Sequence, residues 1–302
     1  MDYQQFVAEL TDKVRERTAE GETVEVRSVP HNNSTMMDGL TITRPGQLVV
    51  PNIYLEPYFD RYRDGSGLDE IADEIVCQNE RRVCPEGMTY GDLHSFERIC
   101  GSIRFRLISR DLNGELLRSV PHRPFMDLEM ICFYRPQVMG IPEASALVQN
   151  GDLPDWNITE EELFRLAMDQ TAASEKPRLR HITDVIRDIG PEEEASEDSS
   201  EGTMAPMFVL SNESGIFGAA CMAYPDLFAR VAEKLGMDFW ILPSSIHELI
   251  LLPDYGMYTA AELGDLVKSV NLSSVPPWEV LSDSVYRYDR KHHQLTMELY
   301  PD

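Results

Sequence analysis

The chain has 302 residues, enough for one large domain or two small ones. Its 42% apolar and 26% charged composition excludes an intrinsically disordered protein. Against 52 acidic residues stand only 27 Lys and Arg, a formal balance of −25, and no local basic strip offers the counterion-releasing contacts that nucleic acids and anionic membranes require.

Phe6, Leu10 and Val14 recur every four residues and predict a helix from Asp2 to Thr18, with Asp2 as N-cap and Gly21 as stop. Thr23 to Val29 and Leu40 to Thr43 read as strands of a hairpin around the turn residues His31-Asn32-Asn33-Ser34. Pro51 to Asp64 becomes helical after Ile53 or Tyr54, and Tyr54, Tyr58 and Tyr62 mark a packed face. Gly65-Ser66-Gly67 follows no strand and no Lys-Ser/Thr trails it, so it is a helix connection and not a phosphate loop. Ser66-x-x-Asp69 caps the next helix, which buries Leu68, Ile71, Ala72 and Ile75. A further helix is expected behind Thr89-x-x-Asp92, with Leu93, Phe96, Cys100, Ile103 and Leu107 on one stripe.

Beyond Pro121 the texture changes. Asp127 to Tyr134 is an almost unbroken apolar run, the signature of a strand buried on both faces, and Ala144 to Val148 is expected beside it. Thr159-Glu160-Glu161-Glu162 is a capping box, and a short helix follows from Ile182 to Ile189. Pro191 to Glu201 contains six acids and no base, and so reads as a self-repelling acidic loop. Met207 to Leu210 and Ile216 to Met222 are expected as strands, followed by a helix with Pro225 at its first position and Gly236 at its end. Phe239 to Leu242 is a core strand, Pro243-Ser244-Ser245 a turn, and His247 to Leu252 another strand. Thr259-x-x-Glu262 starts a helix with Leu263, Leu266, Val267 and Val270 inward, and Val285 to Tyr288 with Leu295 to Leu299 closes the chain as a hairpin.

These elements give an α+β fold, a mixed β-sheet with helices packed on it. A mostly helical N-terminal lobe with a β-hairpin is expected over residues 1–120, and a sheet-rich α+β lobe over 121–302 with its acidic loop at 191–203. Met1 to Phe6 has no secretory signal, and the longest apolar stretch, Ile216 to Tyr224, is nine residues, far short of the ~20 that span a bilayer. A cytoplasmic chain is expected. The five cysteines contain no Cys-x-x-Cys pair, which fits reduced thiols used as small hydrophobes.

Several strings together resemble a known family. They are Met207 to Asn212, Gly218-Ala219-Ala220, Tyr224-Pro225 and Ile241 to Glu248, joined by His31-Asn32-Asn33, Ile53 to Glu56, Pro121 to Leu128 and Leu281 to Asp289. The chain resembles a family of bacterial proteins of unknown function, abundant in anaerobic gut Gram-positive bacteria. The resemblance implies a cytoplasmic α+β protein and adds no chemistry.

The string Ser244-Ser245-Ile246-His247-Glu248 is the best candidate site, because it places hydroxyls, an imidazole and a carboxylate at one strand junction. A nucleophilic serine needs a histidine base oriented by an acid, yet His247 and Glu248 alternate faces on a strand. No Gly-x-Ser-x-Gly elbow precedes the serines, and Leu251 breaks the His-Glu-x-x-His zinc pattern. Asn32 and Asn33 are a second candidate, as the edge of a polar pocket or as a hairpin turn. The expectation is a non-catalytic binding module for a protein or small-molecule partner, with Ser244, Ser245, His247, Glu248, Asn32 and Asn33 as binding candidates and no metal, cofactor, nucleic acid or membrane. A hydrolase-like enzyme using Ser244 or Ser245 is the alternative.

Overall fold

A computed structural model of the chain describes residues 1–44, 50, 52–80, 94–135, 145–189 and 206–299. The acidic loop expected at 191–203 lies outside the described residues, as do Cys84, Thr89, Asp92, Leu93 and Ala144. The chain forms two compact units, one of Met1–Ile103 with Tyr134–Ala146 and the other of Arg104–Phe133 with Leu147–Asp302.

In the first unit, helix α1 (Tyr3–Arg17) starts with a capping box, Asp2 accepting from the Gln5 amide at 2.9 Å and Gln5 returning the bond at 3.2 Å. Strands β1 (Thr23–Pro30) and β2 (Met36–Thr43) pair without a slip from Thr23 opposite Thr43 to Pro30 opposite Met36. Their link is a tight 3-10 turn at Asn32–Ser34, with Asn33 at φ +59°, a left-handed conformation that Asn accepts more readily than most residues. Strand β3 (Ile53–Tyr54) joins β2, and helices α2 (Glu56–Arg63) and α3 (Leu68–Glu80) follow. Phe6, Leu10 and Val14 of α1 meet Ile71, Ala72 and Ile75 of α3 over Leu40 and Ile42 of the sheet, with Tyr58 and Tyr62 at the margin. The helical spacing read from the sequence is therefore the packing seam of this core.

One long helix expected from the sequence is absent. Helix α4 (Phe96–Ile99) is a single turn, a 3-10 turn occupies Cys100–Ser102, and Ile103–Ser109 is strand β4. Ile103, Phe105 and Leu107 satisfy a period of two with Arg104 and Arg106 between them, and Gly101 weakens any helix through this point. The three- and four-residue spacing was an ambiguous signal that the alternating one won.

In the second unit, β4 packs in the order β4-β6-β5 with β5 (His122–Phe125) and β6 (Leu128–Tyr134), and β7 (Ala146–Leu147) pairs with β6. Every residue of β6 is buried, as its continuous apolar run required. Helices α5 (Asp152–Trp156), α6 (Glu160–Ser174) and α7 (Ile182–Ile189) come next, with strand β8 (Pro177–His181) between the last two. Strands β9 (Phe208–Asn212), β10 (Phe239–Ser245), β11 (Glu248–Pro253), β12 (Val285–Asp289) and β13 (Gln294–Leu299) complete a six-stranded sheet in the order β13-β12-β10-β11-β9-β8.

Helix α8 (Leu227–Leu235) precedes β10, and helix α9 (Ala260–Ser273) covers Trp240, Leu242, Leu252 and Val285 with Leu263 and Val267. Leu266 and Val270, expected inward, are 53% and 36% exposed because they flank the buried stripe of α9. Pro225 is not the first helical residue either. Asp226 takes the cap position at φ +56°, and the helix starts at Leu227.

The residues Ile216 to Met222 do not form the expected strand. Phe217 sits at φ +55° and Gly218–Ala223 winds into a 3-10 helix. A side chain at 218 would lie 2.1 Å from Ser211 Oγ and 2.5 Å from the His247 carbonyl, so only glycine lets the two segments meet.

Asp127 turns the corner between β5 and β6 and is 7% exposed. Its carboxylate accepts from Ser282 Oγ at 2.6 Å and from the Tyr286 hydroxyl at 2.5 Å, across 155 and 159 residues of chain. A buried carboxylate stripped of a donor retains its full desolvation cost. Tyr286→Phe should therefore lower unfolding free energy by about 1–3 kcal/mol in urea titrations, whereas Tyr288→Phe should change it by under about 0.5 kcal/mol.

Candidate functional site

The chain reversal that carries the polar string falls two residues later than the sequence suggests. Pro243, Ser244 and Ser245 still belong to β10, and the turn is Ile246-His247. Register slips between Pro243 and Ser245, which brings Ser245 opposite Glu248. A proline is tolerated there because pairing of β10 with β12 ends at Ile241. The side chain of Ser244 lies outside the described residues.

Ser245 is buried, and its hydroxyl oxygen accepts from the His247 amide at 3.0 Å, closing the turn. The His247 ring is held by a second bond, its Nδ1 accepting from the Phe217 amide at 3.1 Å. A neutral imidazole has one acceptor lone pair, and that bond occupies it, so the proton sits on Nε2. Nε2 faces Glu279 Oε1 at 3.8 Å, too long for a hydrogen bond.

The ring of Phe217 ties the site together. His247 stacks on it at 5.6 Å between centroids and 12° between planes, the Arg106 guanidinium lies 4.6 Å from its centroid, and Phe133 meets it edge-on at 5.3 Å. Ser211 Oγ donates to the His247 carbonyl at 2.8 Å, and the Ile246 amide donates to the Glu279 carbonyl at 2.8 Å. Three segments, 211–219, 245–248 and 276–279, are thereby clamped around one turn. Ser245, His247 and Glu248 were legible as candidates. Arg106, Phe217 and Glu279 were not, because their role comes from long-range packing and none sits in a motif.

Burial sets the protonation of the cluster. It holds the His247 imidazole below its usual 6.5, with the Arg106 charge adding to the effect and the Gly215 backbone opposing it. Glu248 is raised above 4.5 by burial and then by the Glu279 charge, and Glu279 is raised by burial, with a hydrogen bond from Trp278 opposing. The site is thus a neutral donor imidazole beside two carboxyls that bind protons more readily than free ones.

Asn32 and Asn33 belong to the first unit and are 3% and 8% exposed. The Asn32 carbonyl accepts from the Thr35 hydroxyl at 2.7 Å and from the Thr35 amide at 3.3 Å, and the His31 ring meets Tyr54 edge-on at 4.8 Å. These contacts belong to the hairpin turn. Among the described residues, no group of three His, Cys, Asp or Glu side chains could hold a metal ion, and no helix is long and apolar enough to cross a membrane.

Residues 3–290 match a family of unknown function, DUF5688. The chain belongs to that family. No curated protein and no solved structure matches it. The match extends through both units, so the clamp around His247 lies within the family region.

Two outcomes follow from the clamp. Gly218→Ala should cost about 1–3 kcal/mol or more in chemical denaturation, since the new methyl meets backbone and cannot be accommodated by a rotamer change. The pH dependence has opposite signs for the two residue types. As pH falls through 6.5 the unfolded chain takes up a proton that folded His247 refuses, so stability is lost on acidification. For Glu248 and Glu279 the folded state takes up protons above 4.5, before the unfolded chain does, so stability is gained as pH falls toward 4.5. His247→Gln keeps an acceptor for the Phe217 amide and should remove only the loss near pH 6.5, as read from unfolding free energy against pH.

Proposed function

We propose that this member of the family is a cytoplasmic, non-catalytic binding module whose acidic surface selects a basic protein or peptide partner. The observation that carries the non-catalytic reading is the occupied Nδ1 of His247. A general base must have a free lone pair within reach of the nucleophile's proton. Here the lone pair accepts from the Phe217 amide, and Ser245 Oγ accepts from the His247 amide. Both bonds build the turn, and the hydrolase-like alternative would have to break the first of them.

The choice of partner rests on charge. A balance of −25 attracts cations over a Debye length of roughly 10 Å at 0.1 M salt and repels polyanions. Ion pairing removes much of the basic complement from the surface field, with Lys13 and Arg17 on Asp69 and Arg287 on Asp238 and Asp254. The uncompensated charge is acidic.

Fluorescence anisotropy tests the reading with Lys/Arg-rich, neutral and acidic peptides, duplex DNA and anionic vesicles, at low and physiological salt. Binding of the basic peptides that weakens with salt, without affinity for DNA or vesicles, is expected. Equal affinity for basic and neutral peptides would remove the partner assignment. Ester hydrolysis lost on Ser245→Ala would remove the non-catalytic one.

A further inference from the structure

A cavity of about 440 Å³ opens in the second unit between the end of α6, the start of β8 and the start of α8. This is within the range of roughly 300–1,000 Å³ typical of small-molecule sites. Two of its lining residues are cations, Lys176 and Arg230, and none is a carboxylate. The remaining wall is largely apolar, with Ala172, Pro177 and Leu227 facing the space.

Several bases of this acid-rich chain find acids: Arg180 on β8 pairs with Asp188, Arg110 with Glu129, and Arg61 with Glu74. Neither the Lys176 ammonium nor the Arg230 guanidinium forms a hydrogen bond or ion pair with any described residue. The adjacent acids are committed elsewhere or fall outside the lining. Glu175, next in sequence to Lys176, is buried and its carboxylate accepts from Ser214 at 3.0 Å. Asp226 occupies the cap of α8 and is not among the lining residues.

The wall that separates them is rigid. Tyr224 is buried and its hydroxyl donates to the Glu175 carbonyl at 2.9 Å, with an edge contact to Phe105 at 6.2 Å. Pro177 and Pro225 fix φ on either side of the opening. The site would therefore be shaped before any ligand arrives, and the two flexible charged side chains are the parts left to adjust.

We propose that this cavity binds a small organic anion, its carboxylate or phosphate held by Lys176 and Arg230 and its apolar body resting on Ala172, Pro177 and Leu227. Arg230 offers the forked donor set suited to either anion, and Lys176 a point charge beside it. An acidic surround disfavours bulk anions, so the apolar wall must contribute and a bare inorganic ion is a poor ligand.

The test is isothermal titration in low-chloride buffer with phenyl phosphate, phenylacetate, inorganic phosphate and benzylamine, on the full chain. Saturable binding of at least one aryl anion, above that of inorganic phosphate and without binding of benzylamine, is expected. A preference for phenyl phosphate assigns a phosphate ester, and a preference for phenylacetate assigns a carboxylate. The double variant Lys176→Gln/Arg230→Gln, both exposed positions, should weaken binding by at least about tenfold, because each charge-assisted hydrogen bond is worth that much. Lys291→Gln, an exposed lysine away from the cavity lining, should leave it unchanged. No saturable binding of either aryl anion, or binding unaltered in the double variant, overturns the assignment. Folding of the variant is checked by its unfolding midpoint, and Ala172→Leu, which narrows the apolar side while keeping both charges, should weaken the aryl anions more than inorganic phosphate.

Discussion

The bond from the Phe217 amide to His247 Nδ1 exists only because two segments approach at backbone distance, and that approach depends on residue 218 having no side chain. Phe217 pays for it with a left-handed backbone at φ +55°, an uncommon conformation for a bulky residue that costs about 1–3 kcal/mol. The surroundings hold it there: Arg106, His247 and Phe133 all contact its ring, and the Ser211 hydroxyl fastens the opposing carbonyl. Strain at a site is often taken to mark catalysis. Here its product is a fixed imidazole whose Nδ1 lone pair accepts from the Phe217 amide.

The same geometry explains why the sequence spoke clearly about some elements and not others. Helices α1, α6 and α9 carry their own caps, each a side chain three residues from its partner, and local chemistry of that kind is readable without knowing the fold. Strand β6 was readable because burial on both faces leaves no polar alternation. The expected strand at Ile216 to Met222 failed for the opposite reason. Its small and apolar residues have strand-like hydropathy, and what decides its conformation is a close approach to residues 211 and 247, which no window of sequence contains. The misplaced turn after Leu242 has a related cause, since Pro243 is an ordinary turn signal that here ends only one side of the pairing.

The candidate site was legible in kind and not in construction. The polar string named the turn, and Ser245 and His247 do form it. Their orienting groups come from four places in the chain: Arg106 on β4, Ser211 on β9, Phe217 beyond it, and Glu279 after α9. A string of five residues could suggest a triad because hydroxyl, imidazole and carboxylate are adjacent in it. Adjacent residues on a strand or turn point apart, and a working triad is assembled across distance in the way this clamp is.

Net charge and local charge act at different ranges on this chain. Where acids outnumber bases, an exposed arginine meets a carboxylate at little cost, and such pairs contribute little to stability, with a median of about 0–1 kcal/mol. Each such pair cancels one acid with one base, so the long-range field is set by the excess of acids, a net charge of −25. Lys176 and Arg230 line a carboxylate-free wall with a buried tyrosine and two prolines, and the neighbouring Glu175 is turned inward to Ser214. An anion arriving there is opposed by the net charge at long range and favoured by two cations at contact. The balance falls within about one Debye length and so shifts toward binding as salt rises to screen the distant acids, until added anions compete for the site. The proposed basic partner would instead bind most tightly at low salt, so the two proposals differ in their dependence on ionic strength.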